Sequence, residues 1–115
     1  MIEKIVLDYL STALSPVACV METPEQPTPA QYVVIEKTGG SVTNHIPSAN
    51  IAVQSCAETL YDAALLNEAV KEAMDDIITL ASVSSCKLDN DYNFTDAKTK
   101  TYRYQAIFRI TFMEV

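Results

Sequence analysis

Apolar residues recur at helical spacing from the start of the chain. Ile2, Ile5, Val6, Tyr9, Leu10, Ala13 and Leu14 share one helix face, with Glu3, Lys4, Asp8 and Ser11 off it. Ser15-Pro16 ends the run, because proline pushes the residue before it out of the α region, so the pattern predicts a helix over 2–14. The short apolar run from Val17 to Met21 predicts a buried strand. Pro24, Pro27 and Pro29 disfavour both helix interior and central strand, so 22–31 reads as an extended loop. β-branched and aromatic residues from Tyr32 to Ile35 predict a strand over 32–38, which Gly39-Gly40 closes in a turn. The polar stretch over 39–50, with Pro47, reads as a second long loop or an irregular hairpin arm. Ile51-Ala52-Val53 then carries a strand over 50–55.

Ser55-Cys56-Ala57-Glu58 has the S-x-x-E form of a capping box, in which two orphan backbone donors at a helix start are satisfied reciprocally. It predicts a helix over 56–80, with Leu60, Ala63, Leu66, Val70, Ala73, Met74, Ile77 and Ile78 as the core stripe. A strand over 83–89 follows. Asp89-Asn90-Asp91 reads as a turn, and the polar segment to Lys100 as a projection. The chain finishes in alternation: Tyr102, Tyr104, Ala106, Phe108, Ile110 and Phe112 on one face, with Arg103, Gln105 and Arg109 on the other. That predicts a strand over 101–113. Two helices cannot cover both faces of a sheet. The expected fold is therefore α+β, a two-layer sandwich of about five strands, mainly antiparallel or mixed, in the order α-β-β-β-α-β-β. Residues 1–115 form one domain.

Composition narrows the function. A net charge of −7 argues against binding DNA by phosphate neutralisation, and two glycines leave no glycine-rich phosphate loop. Cys19, Cys56 and Cys86 are too few and too scattered for a disulfide framework or zinc knuckle. No apolar run approaches the ~20 residues of a membrane span. The N-terminus reads as a helix, not a signal peptide, so the expected compartment is the cytosol.

Two constellations could carry chemistry. Cys56, placed in the first turn of the capped helix, and His45, the single histidine, could pair as nucleophile and base. Asp89, Asp91 and Asn93 match the opening of a calcium loop, but Phe94 and Lys100 stand where that loop needs glycine and glutamate. Neither survives, and the expectation is no catalytic, cofactor-binding or metal site. Charge is distributed unevenly: residues 1–80 hold eleven acidic and three basic side chains, 81–115 four and five. Glu58, Asp62, Glu72 and Asp76 gather on one side of the second helix, as a solvated face or as a surface turned to a polyanion or a basic partner.

The runs Tyr32 to Gly40 and His45 to Ser55 resemble small tail-component proteins of phages and prophages of Gram-positive bacteria, as do Leu88 to Asp96 and Tyr102 to Ala106. By arrangement the chain also resembles the tail terminator, or tail completion, proteins of long flexible-tailed phages. That resemblance implies a subunit of a ring, commonly a hexamer, that caps the head-proximal end of the tail tube and joins it to the head connector. It implies a virion location after assembly in the host cytoplasm, with tail tube and neck proteins as partners and DNA only as passing cargo. An acidic face would then suit a lumen where DNA slides without sticking. Residues Glu25, Gln26, Thr28, Thr43, Asn44 and His45, in the two long loops, are the expected assembly contacts. Competing readings are a head-closure, neck or minor capsid component, a small Cys56/His45 enzyme, and a module that binds a basic protein.

Overall fold

The computed structural model describes residues 1–25 and 28–113. The elements are α1 (Ile2–Ala13), β1 (Ala18–Val20), β2 (Gln31–Thr43), β3 (Ile46–Ala57), α2 (Leu60–Asp75), a 3-10 turn (Ile77–Thr79), β4 (Val83–Asn93) and β5 (Tyr102–Phe112). The strands form one sheet in the order β1-β2-β3-β5-β4. β1 runs parallel to β2 and every other pair is antiparallel. This is the expected α+β order with a mixed sheet.

Both helices pack on one sheet face. Val6 and Leu10 of α1 and Leu66, Val70 and Met74 of α2 share a core with Val33, Ile35, Ile51, Val53, Phe108 and Ile110. The period of 2 in β5 and of 3.6 in the helices aims those side chains at each other across the two layers. The Tyr9 hydroxyl ties the helices together by donating to the Ala73 carbonyl at 2.6 Å.

The second helix starts and stops elsewhere than the capping box suggested. Ser55, Cys56 and Ala57 continue β3, paired on one side with Val33, Tyr32 and Gln31 and on the other with Tyr104, Arg103 and Tyr102. Ladder pairing on both sides outweighs a local cap. Thr59 takes the capping role, its Oγ1 accepting the Asp62 N–H at 3.1 Å. The helix ends at Asp75, with no basic residue in its last turn, and tightens into the 3-10 turn. Leu60 and Ile78, assigned to the core stripe by spacing, are therefore exposed.

Of the two readings of 39–50, the hairpin arm holds, while the turns expected at Gly39-Gly40 and Asp89-Asn90-Asp91 are strand. Gly39 and Gly40 do not turn the chain; a register shift between Lys37 and Gly39 carries β2 through them. A Cβ at Gly40 would come within 3.2 Å of the Ser48 carbonyl oxygen, so glycine permits a close strand approach there. The hairpin turn sits instead at Asn44-His45, making 39–50 a hairpin arm. Asp89 to Asp91 likewise belong to β4, with an irregularity between Leu88 and Asn90.

Asp91 is engaged by α2. Its Oδ1 accepts from the buried Asn67 amide at 2.8 Å, and its Oδ2 from Lys71 Nζ at 2.7 Å. Burial pushes this carboxyl up, but the bonds from Lys71 and Asn67 outweigh burial and hold it below the ordinary range. Asp91→Ala strands the Asn67 amide, and should destabilise the fold by about 1–3 kcal/mol in urea unfolding. Asp91→Asn keeps an acceptor and should cost less. A depressed folded-state pKa stabilises above the unfolded value, about 4, and is lost as pH falls through the folded value. The Asp91→Asn deficit should therefore shrink below about pH 4.

Candidate assembly surfaces

No helix packs on the sheet face opposite α1 and α2 among the described residues. Strand alternation places Val20, Tyr32, Val34 and Cys56 there as a small apolar cluster, of which only Val20 is partly exposed and the other three are buried. Beside it Gln54 Nε2 donates to Gln105 Oε1 at 3.0 Å, and Gln105 in turn donates to the Tyr92 hydroxyl. The same alternation brings basic residues to this face. Arg103 lies opposite Cys56, with its guanidinium 4.6 Å from the Phe94 ring centre and its Nε donating to the Phe94 carbonyl at 2.8 Å. Lys87 lies directly opposite Arg109. Like charges in that position repel. Among the described residues, no carboxylate pairs with Lys87, Arg103 or Arg109; the ion pairs are Lys4–Asp8, Lys71–Glu68 and Lys71–Asp91.

The β2–β3 arm is the second surface. β5 accompanies β3 only as far as Ser48, so Val42↔Pro47 and Thr43↔Ile46 extend the arm as a two-stranded ribbon. Asn44 and His45 both adopt positive φ, 52° and 63°. A two-residue hairpin turn requires that conformation, which suits asparagine and strains histidine. Val42 and Ile46, 69% and 53% exposed, are apolar side chains that the monomer does not bury. They border a groove of about 670 Å³ that also touches His45, Pro47, Phe112 and Met113.

The expected assembly residues thus separate into two groups. Thr43, Asn44 and His45 come together at the arm tip. Glu25 and Thr28 precede the far end of β2, whose 13 residues span on the order of 40 Å. Thr28 lines a polar cleft of about 470 Å³ with Thr23, Tyr32, Cys56, Asp96 and Arg103. Gln26 lies outside the described residues.

The four carboxylates chosen on α2 do not make one continuous strip. Glu58 is exposed in the β3–α2 connection and Asp62 sits in the first turn, where the helix dipole favours negative charge. Glu72 lies in the last turn and Asp76 caps the C-terminus, where the dipole disfavours it. Between the two pairs, the solvent side of α2 presents Tyr61 and Leu65, 72% and 51% exposed, followed by Glu68. Tyr61 and Leu65 fell outside the core arc of the helical wheel. That exclusion was the signal for them.

The cysteine–histidine pairing does not form. Cys56 lies within β3 instead of a helix start, and eleven strand residues, on the order of 35 Å, separate it from the arm tip that holds His45. Burial pushes its thiol up, against smaller lowering effects of Tyr32 and Arg103, which is the reverse of nucleophile activation. Cys19 is raised by burial too, and Cys86 is pushed up to about 11 by burial and by Asp75. The Asp89/Asp91/Asn93 motif runs along a strand, with Asp91 taken by Lys71 and with Asn93 Oδ1 accepting the Thr95 N–H. Among the described residues, no three His, Cys, Asp or Glu side chains converge as a metal site.

No protein-family model matches the sequence, and no curated protein matches it at a significant level. Its fold is that of a chain from the virion of a native gene transfer agent (GTA) particle, with a TM-score of 0.72 and 15% identity, over 96% of this chain and 92% of that one.

Proposed function

We propose that this chain is a structural, non-catalytic protein of a phage particle, and specifically a tail terminator. Its subunits form a ring on the head-proximal end of the tail tube, stop tube growth and join the tube to the head connector. The observation that carries the reading is the fold shared with a virion chain over nearly the full length of both. The resemblance of Tyr32–Gly40 and His45–Ser55 to small phage tail components points the same way. So do the exposed Lys87 and Arg109 on the sheet face without helices and the exposed Val42 and Ile46 at the arm tip. A ring subunit needs contacts on several sides, and a convergent catalytic pocket is not required of it. DNA passes such a ring without specific binding, in keeping with the net charge of −7.

Deleting the gene from a phage that carries it tests this reading by electron microscopy. A terminator's loss should leave tail tubes of uncontrolled length, unattached to heads, and supplying the protein in trans should restore uniform tails. Normal-length tails beside heads that leak DNA would assign the protein to head closure instead.

A further inference from the structure

The two layers of the sandwich carry opposite charge in a matched order. The helical layer is acidic: Glu3, Asp8, Asp62, Glu68, Glu72 and Asp75 lie on α1 and α2, and its two lysines, Lys4 and Lys71, are already held by carboxylates. The opposite sheet face is net basic: Lys87, Arg103 and Arg109 make no salt bridge among the described residues, against the exposed carboxylate of Glu36 on the same face. On the solvent side of α2, Tyr61, Leu65, Glu68 and Glu72 follow one another at offsets of four, three and four residues, a single seam running from apolar to acidic. Leu65 and Glu72 are separated by about 10 Å along the axis. The sheet face offers the complementary order. The partly exposed Ile107 leads along β5 to Arg109, about 7 Å away, which stands beside Lys87 of β4.

Resting on the ring reading, we infer that the solvent side of α2 of one subunit docks on the helix-free sheet face of the next copy of the same chain. Tyr61 and Leu65 cover Ile107, and Glu68 and Glu72 meet Lys87 and Arg109. An apolar centre with a charged rim is the common anatomy of a specific interface. The carboxylates also relieve the repulsion that Lys87 and Arg109 suffer in the isolated subunit. The two patches differ, so the contact is head-to-tail, the kind that closes into rings. α2 is therefore turned to a neighbouring subunit and not to the ring's channel.

Charge exchange tests the contact. Sedimentation of the wild-type protein up to millimolar concentration, in low and high salt, should show self-association that weakens as salt rises. Lys87→Glu/Arg109→Glu and, separately, Glu68→Lys/Glu72→Lys should each weaken it by at least about tenfold while leaving the circular dichroism spectrum unchanged. An equimolar mixture of the two variants, or one chain carrying all four changes, should recover association to within about threefold, because every contact again joins opposite charges. Recovery cannot come from misfolded variants. A wild-type chain that stays monomeric throughout, or variants that associate normally, would overturn the inference. So would salt-sensitive binding of a DNA duplex that Lys87→Glu/Arg109→Glu abolishes while self-association is untouched, since the basic face would then serve phosphates. The functional reading is scored separately by tail length: tubes capped normally by the reversed variants sink this contact alone, and charge-dependent association with normal tails after gene deletion sinks the terminator role alone.

Discussion

Phe108→Ala should remove about 3–5 kcal/mol of stability, the usual cost of emptying a fully packed aromatic site. Phe108 sits mid-strand in β5, directly between Ile51 of β3 and Leu88 of β4, and is 2% exposed. It belongs to the single cluster that joins α1, α2 and four of the sheet's strands, so the cavity opens at the centre of both layers. A domain of this size holds only about 5–15 kcal/mol in total, and the loss should lower Tm by at least about 10 °C. Thermal unfolding by circular dichroism reads it. A shift of a few degrees or less would mean that the layers close over the gap, and that the core is looser than its burial indicates.

Shortening the arm should do the opposite, sparing the fold and removing assembly. In the variant, Ser41 to Ser48 give way to an Asn-Gly turn that joins Gly40 to Ala49, which already face each other across the hairpin. The removed segment contributes no residue to the main core, and only its base at Ser48 pairs with β5. Strain at His45 disappears with it. Stability should therefore stay within about 1 kcal/mol of wild type. Assembly onto tail tubes should fall by at least about tenfold, because the exposed Val42 and Ile46 go with the arm. Hydrogen exchange on the unmodified chain supplies the converse. Amides of residues 41–47, in a two-stranded ribbon with no third strand on either edge, should exchange quickly in the free subunit and gain protection on assembly. Unchanged exchange, or a trimmed chain that still completes tails, would take the arm out of the interface.

Much of the fold is legible in residue order because its signals are local and repeated. The period-3.6 pattern of α1 and the alternation of β5 each bring a whole face of side chains to one side, and burial rewards them together. Counting two helices against one sheet was enough to foresee a face without helices. The misreadings share one cause, in that a short motif carries a fraction of a kcal/mol to a few, while pairing along a strand adds up over many residues. Ser55-x-x-Glu58 resembles a cap, yet Ser55 to Ala57 have ladder partners on both sides, and Thr59 caps the helix instead. Gly39-Gly40 and Asp89-Asn90-Asp91 have turn composition, yet β3 and β5 hold them extended.

The surfaces that matter for assembly divide along the same line. Residue order by itself determined that Arg103 and Arg109 oppose the core face of β5, and that Tyr61 and Leu65 lie off the buried arc of α2, since each follows from a period within one element. Only the tertiary structure decided that Lys87 stands across from Arg109, that Asp91 belongs to Asn67 and Lys71, and that His45 and Cys56 lie at opposite ends of a long strand. Those relations depend on strand order and register, which long-range burial selects and no local spacing encodes.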